Sequence, residues 1–131
     1  MNRCFSLTLL LVAAVLLSGC AGGGPQPVSG TVTMDDAPLA GVRITFYPIG
    51  GGRTNSVAET NDQGEYALRY TSKAKGAIAG KYKVMISKTK KAPDGRTVEV
   101  LPLRYNRQSE LTAEVTSSGD NIFDFKLTSE K

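Results

Sequence analysis

Apolar and polar residues alternate along most of the chain after residue 27. This alternation predicts β-strands, because successive side chains of a strand point to opposite faces of its sheet. In the first predicted strand, Val28, Val32 and Met34 share one face. The predicted strands cover residues 28–34, 41–48, 55–60, 65–70, 80–86, 111–116 and 121–127.

Turn-forming residues separate these strands. Residues 61–64 (NDQG) give a strong turn signal, because Asn and Asp tolerate left-handed backbone angles and glycine adopts them freely. The longest polar stretch, residues 87–97, is predicted to be a mobile loop. Residues 98–103 are apolar but contain Pro102, so they are predicted to form an edge strand or an extended segment. About seven short strands without helical periodicity predict an all-β fold, a Greek-key sandwich of two sheets related to immunoglobulin-like domains.

Residues 1–19 follow a different pattern. Arg3 gives a positive start, and residues 5–17 are almost wholly apolar. A charged start, a short apolar stretch and small residues at its end are typical of a secretory signal peptide. The apolar stretch is shorter than the roughly 20 residues that a membrane span needs. The pattern therefore predicts a signal-peptide helix before the sandwich, and a buried core helix is the alternative.

The end of this segment carries a more specific motif. Leu17-Ser18-Gly19-Cys20 resembles the lipobox of bacterial lipoproteins, in which an aliphatic residue and two small residues precede a cysteine. The resemblance implies cleavage between Gly19 and Cys20 and attachment of acyl chains, palmitate among them, to Cys20. Two or three acyl chains suffice for stable membrane anchoring. The alternative is an ordinary signal peptide that ends near Ala21, with Cys20 incidental.

Residues 20–27 (CAGGGPQP) are predicted to be the lipidated cysteine and a flexible tether, because glycine confers flexibility and proline prevents regular structure. Cys4 lies in the leader, so the mature chain would have no free thiol and no disulfide. Ala21 stands where some bacteria place the aspartate that retains a lipoprotein in the inner membrane. That resemblance favours a lipid-anchored protein of the cell envelope, in the outer membrane rather than the inner one.

The charge of the chain indicates which classes of binding partner it favours. The formal net charge is +4, and the basic residues concentrate between Lys73 and Arg96. An exported protein does not normally meet nucleic acid, so this charge favours anionic lipid headgroups, acidic polysaccharides or an envelope protein over DNA or RNA. The alternative is a solvated strand face followed by a basic loop over residues 88–97.

Motifs of one known family occur in six segments of the chain: residues 28–48, 60–68, 80–87, 101–106, 111–115 and 121–127. Together these segments resemble the carboxypeptidase regulatory-like family. The resemblance implies a transthyretin-like β-sandwich over residues 28–129 that contains no catalytic machinery of its own. One departure is Asp36-Ala37, where the family more often has Asp-Gly, so a different turn type is expected there.

Catalytic and metal-binding residues are sparse. The chain has no histidine, which removes the usual nucleophilic triads and the commonest zinc ligand. Asp35 and Asp36 are adjacent and would point apart, so we interpret them as turn residues. Asn61, Asp62 and Glu65 offer oxygen ligands for calcium but lack the spacing of a calcium loop. We therefore predict no cofactor, no metal site and no enzymatic activity.

The sequence offers two exposed aromatic candidates for ligand contact. Tyr47 falls on the outward phase of its strand, and Tyr105 lies in an irregular segment. The expected function is that of a non-catalytic envelope lipoprotein with a structural or protein-interaction role. A carbohydrate- or small-ligand-binding module is the alternative. A hydrolase of the transthyretin-like type is a weaker one, because such enzymes use histidines and a C-terminal motif that this chain lacks.

Overall fold

Strands form where the alternation predicts them. The computed structural model describes residues 24–51, 54–118 and 120–129, so the predicted signal helix and the lipobox lie outside the described residues. The prediction of an all-β sandwich is confirmed. The strands are β1 (Pro25–Gln26), β2 (Val28–Met34), β3 (Ala37–Pro38), β4 (Arg43–Pro48), β5 (Ser56–Glu59), β6 (Glu65–Ala67), β7 (Ala77–Ile78), β8 (Gly80–Ser87), β9 (Thr89–Lys91), β10 (Thr97–Glu99), β11 (Thr112–Val115), β12 (Asn121–Ile122) and β13 (Phe125–Leu127).

The first sheet contains four antiparallel strands in the order β11-β8-β4-β5. Along β4 and β8, alternate residues face the core, as the sequence predicts. Before the start of β11, residues 106–111 cover the edge of β8. There Ser109 Oγ donates a hydrogen bond to the Val84 carbonyl, and Val84 N–H donates to the Leu111 carbonyl at 2.8 Å. The inward residues that are completely buried are Ile44, Phe46, Tyr82, Val84 and Ile86.

The second sheet is built around β2. Strands β3 and β6 pair antiparallel to it, whereas β12 and β13 pair parallel to it. The chain passes from this sheet to β4 and β5 of the first, returns to β6, crosses again to β8 and β11, and ends beside β2. Neighbouring strands are therefore often distant in sequence, as in a Greek-key sandwich.

Aromatic rings fill the space between the sheets. The Phe46 ring of the first sheet lies 5.7 Å from the Tyr82 ring, 5.9 Å from that of Phe123 and 6.5 Å from that of Phe125. The Tyr66 hydroxyl donates a hydrogen bond to the Phe123 carbonyl at 2.6 Å. Burial of the Tyr66 hydroxyl raises its pKa well above the ordinary value, with a smaller contribution from the charge of Asp124.

The last predicted strand, residues 121–127, is interrupted in its middle. Phe123 N–H donates to the Ser29 carbonyl at 2.9 Å, and the Asp124 carboxylate accepts hydrogen bonds from the Thr31 N–H at 2.9 Å and hydroxyl at 3.1 Å. The carbonyl of Phe123 approaches Gly30 closely enough that a Cβ there would lie 1.9 Å from its oxygen. Gly30 is therefore required for β12 and β13 to run along β2.

The structure corrects the predicted boundary of the tether. Pro25 and Gln26, which the sequence assigns to a flexible segment ending at residue 27, form β1 and pair antiparallel to Ile78 and Ala77. The pairing is possible because Gly76 has no side chain: a Cβ there would lie 1.9 Å from the Gln26 carbonyl oxygen. Strand pairing among the described residues therefore begins at residue 25.

Residues 87–97 contain secondary structure that the sequence did not predict. Thr89–Lys91 pairs with Thr97–Glu99 as a hairpin, and its turn is closed by Ala92 N–H donating to the Arg96 carbonyl at 2.8 Å. The altered turn expected at Asp36 is explained by the backbone. Asp35 and Asp36 both have positive φ, at 50° and 69°, as a two-residue type I′ hairpin turn requires.

Candidate functional site

A groove of about 510 Å³ opens at the end of the sandwich where β2 and β8 finish. We call it the distal groove. Residues from five separate parts of the chain meet there, which explains why no short sequence motif indicates the groove. Its lining residues are Met34, Leu39, Lys88, Val100, Leu101, Pro102 and Ser129.

Glu99 holds one wall of the distal groove in place. Its Oε1 accepts hydrogen bonds from the backbone N–H of Lys88 at 2.8 Å and of Leu101 at 3.1 Å. Val100 N–H donates to the Lys88 carbonyl at 2.8 Å. The Lys88 ammonium then reaches across and donates to the Ala40 carbonyl at 2.9 Å. These bonds hold Val100 and Leu101 against the end of the sandwich, although they follow the last residue of β10.

The opposite wall is held by the C-terminal residues. The Asp35 carboxylate accepts hydrogen bonds from the Ser129 hydroxyl at 2.6 Å and from its backbone N–H at 3.1 Å. These two bonds lower the pKa of Asp35 below its ordinary value, the hydroxyl contributing most. Asp35 therefore stays ionised as it fixes Ser129 beside the groove.

The surface next to the distal groove exposes several aliphatic side chains, which we call the apolar strip. Val98 is 37% exposed, Val100 42% and Leu103 46%. Clusters of exposed aliphatic residues on a small domain are typical of protein-binding surfaces. Lys90 and Lys91 on the adjoining hairpin are exposed as well, so the strip has a basic border.

Sequence reasoning missed this surface, although the run VEVLPL over residues 98–103 contained a signal. Its apolar residues do not keep to one phase of the alternation, so a single strand could not bury all of them. In the structure Leu101 turns inward and is 7% exposed, while Val100 points outward. An apolar run that breaks the period of two is thus the feature that indicates a surface site.

The second candidate ligand residue, Tyr105, is mostly buried. It is 8% exposed and lies in a 3₁₀ turn, so it offers little aromatic surface to a ligand. Its hydroxyl accepts a hydrogen bond from the Thr128 N–H at 2.9 Å, and the Arg104 guanidinium lies 4.7 Å from its ring centre. Partial burial opposes ionisation, but the hydrogen bonds with Thr128 and the charge of Arg104 outweigh it and lower the pKa of Tyr105. Tyr105 therefore holds the residue that follows the last strand in place through a hydrogen bond.

Tyr47 lies where the sequence places it. It is 38% exposed, on the outer face of the first sheet, and Lys83 is its partner in the register of β8. Because Tyr105 is buried, the structure does not bring the two tyrosines together as one binding surface. A ligand contact at Tyr47 stays a prediction.

One of the three suggested calcium ligands, Asn61, has a structural role. Asn61 Oδ1 accepts hydrogen bonds from the backbone N–H of Gln63 and Glu65, each at 2.9 Å, so the suggested calcium ligand is engaged in closing a turn. Within the described ranges, no cluster of three or more acidic or cysteine side chains could hold a metal ion. The fully buried Ser56 hydroxyl, which lacks a hydrogen-bond partner among the described residues, faces the core opposite Phe46.

Comparison with other proteins adds little to this site. No family model matches the chain, and no curated protein sequence matches it. It is similar to the crystal structure of a 9R-lipoxygenase from Cyanothece PCC8801, with 14% sequence identity and a TM-score of 0.40. The similarity covers 79% of this chain and 16% of the lipoxygenase chain, so this chain spans about a sixth of that enzyme's length. The function must therefore be argued from the residues of this chain.

Proposed function

We propose that this protein is a lipid-anchored component of the bacterial cell envelope whose β-sandwich is a non-catalytic interaction module. Acyl chains on Cys20 would hold it to the membrane, as the resemblance of residues 17–20 to a lipobox implies. The distal groove and the apolar strip would bind a protein partner. The basic hairpin residues Lys90 and Lys91 favour a partner that presents an apolar segment flanked by acidic side chains.

The observation that carries this proposal is the placement of the groove relative to the tether. Strand β1 lies at the starts of β2 and β8. Only Pro27 separates β1 from β2, and only one residue separates β7, the pairing partner of β1, from β8. The distal groove lies at the ends of the same two strands, at Met34 and Lys88. Eight strand residues span roughly 25 Å. A membrane-anchored sandwich would therefore direct the groove away from the bilayer, where it is accessible to a partner.

The anchor is tested by replacing Cys20 with serine. A serine oxygen is not the thiol that the modification needs, so Cys20→Ser is expected to abolish incorporation of labelled palmitate and to move the protein from the membrane pellet to the soluble fraction. Cys4→Ser removes the other thiol of the chain and is the matched control, because Cys4 lies in the segment to be cleaved. It should leave labelling unchanged. Palmitate labelling of Cys20→Ser would contradict the anchor.

The binding surface is tested by photo-crosslinking in intact cells. A photoreactive residue at Val100 is expected to give a protein adduct of one discrete mass. Adding Val98→Asp and Leu103→Asp should reduce that adduct about tenfold, the change expected when an apolar contact worth roughly 1.4 kcal/mol is lost. Both positions are exposed, so these changes should not unfold the sandwich.

Val57 is the matched control for the crosslinking position. It is 40% exposed, nearly the same as Val100, but it lies on β5, an edge strand of the first sheet. The same adduct from Val57, or an adduct at Val100 that survives the two aspartates, would contradict binding at the apolar strip. Saturable glycan binding that is lost in Tyr47→Ala would instead support the carbohydrate-binding alternative.

A further inference from the structure

The tether reaches the folded domain at a fixed point. Strand β1 pairs with β7, and Gly76, with φ of 98°, leaves the space that the Gln26 carbonyl occupies. Gly76 N–H itself donates a hydrogen bond to the Leu68 carbonyl at 2.7 Å. Movement of residue 25 away from the sandwich would therefore break strand pairing and reopen this packed site.

Only four residues, 21–24, separate Cys20 from Pro25. A fully extended chain advances at most about 3.6 Å per residue, so the five steps from Cys20 to Pro25 cover at most about 18 Å, whatever conformation they adopt. If Cys20 carries acyl chains, as the proposed function states, Pro25 lies within that distance of the lipid headgroups. The end of the sandwich that contains β1 and β7 must then face the bilayer.

This end of the sandwich presents a basic loop, residues 71–76, which contains Lys73 and Lys75. The wider segment of residues 66–80 adds Arg69 and contains no acidic residue. Within the part of the chain that the structure describes, neither lysine forms an ion pair, and both are exposed. The loop is ordered: Thr71 Oγ1 accepts hydrogen bonds from the N–H of Lys73 at 3.2 Å and of Ala74 at 3.0 Å.

We propose that the loop of residues 71–76, together with β1 and β7, forms a membrane-facing surface that lies on anionic phospholipid headgroups. The inference rests on the proposed acylation of Cys20 for its geometry and on the charge of Lys73 and Lys75 for its partner. Basic side chains near an anionic membrane act within a Debye length of about 8 Å at physiological salt. The short tether and the lysines favour the same orientation, with the distal groove pointing outward.

The contribution of the lysine charges to membrane binding is tested on a chain that lacks the anchor. The Cys20→Ser chain is sedimented with vesicles of phosphatidylcholine and phosphatidylglycerol. Lys73→Gln with Lys75→Gln should lower its partition onto these vesicles about 25-fold, roughly fivefold for each lysine. Lys90→Gln with Lys91→Gln is the control, because it removes the same charge from the distal hairpin. Equal losses from the two pairs, or no loss from the first, would overturn the proposal.

The orientation is tested on the acylated chain in the same vesicles. Ser72→Cys and Thr97→Cys each place a thiol-reactive dye on an exposed hydroxyl position, near the tether and on the distal hairpin respectively. A quencher carried by the lipid headgroup should reduce the emission of the dye at residue 72 more than at residue 97. Equal or reversed quenching on acylated protein would overturn the orientation. Dye uptake by the Cys4→Ser chain that carries neither of these substitutions would show an unmodified Cys20, and so overturns the proposed anchor instead.

Discussion

Replacing Phe46 with alanine is expected to lower the free energy of unfolding by about 3–5 kcal/mol, the range for removing a buried aromatic ring. Phe46 is completely buried, and its ring contacts Tyr82 of its own sheet as well as Phe123 and Phe125 from the facing side of the sandwich. Its removal would leave a cavity between the two layers that neither sheet alone can close. Urea denaturation followed by tyrosine fluorescence measures the change, because the chain contains no tryptophan.

The adjacent residue supplies the control for this experiment. Tyr47 lies on the same strand, is similar in size and is 38% exposed on the opposite face. Tyr47→Ala should therefore cost less than about 1 kcal/mol. A loss from Phe46→Ala as small as that from Tyr47→Ala would mean that the core does not lie between these two sheets.

The strands could be predicted from the sequence because the period of two is a local property. The strand predicted over residues 28–34 is observed with the same bounds, Val28–Met34. The predicted inward positions Tyr66 and Leu68 are buried, at 4% and 1% exposed. Each of these predictions needs only to know which of the two alternating sets of positions is apolar, since a strand that buries one face must place its apolar residues there.

What the sequence did not predict depends on contacts between distant residues. Strand β1 has only Pro25 and Gln26, too few for a visible period, and forms because Ala77 and Ile78 are brought beside it. The hairpin of β9 and β10 has an almost wholly polar first strand, so no apolar pattern marked it. Tyr105 was a candidate for ligand contact because its segment is irregular, but its hydroxyl accepts a hydrogen bond from the Thr128 N–H, which lies 23 residues further along the chain.

The candidate site was the least predictable part for the same reason. The distal groove combines side chains from the region of Met34, from Lys88, from Val100 to Pro102 and from Ser129. Their meeting depends on the parallel pairing of the last strand with β2, which places Leu127 opposite Met34. Parallel pairing between two strands that are distant in sequence has no local signature. Sequence reasoning could therefore suggest an anchor motif, which stays a prediction, but not the surface that such an anchor would present.

Replacing Gly30 with alanine is expected to lower the free energy of unfolding by about 3 kcal/mol, at the upper end of the cost of overpacking. The added Cβ would lie 1.9 Å from the Phe123 carbonyl oxygen, a backbone atom that cannot rotate away. The same oxygen accepts the hydrogen bond of the buried Tyr66 hydroxyl at 2.6 Å. Relief of the clash would therefore move Phe123 away from β2 and strain that hydrogen bond. The measurement is again urea denaturation.

Gly51→Ala separates this effect from the general consequence of replacing a glycine. A Cβ at Gly51 would meet no heavy atom within 4 Å, and its backbone does not have the left-handed φ that disfavours alanine. Its stability should therefore change by less than about 0.5 kcal/mol. If Gly30→Ala were equally neutral, the carbonyl of Phe123 could not lie against β2. The interruption between β12 and β13 would then have to be placed elsewhere, because Asp124 reaches the Thr31 N–H only when Phe123 passes over Gly30.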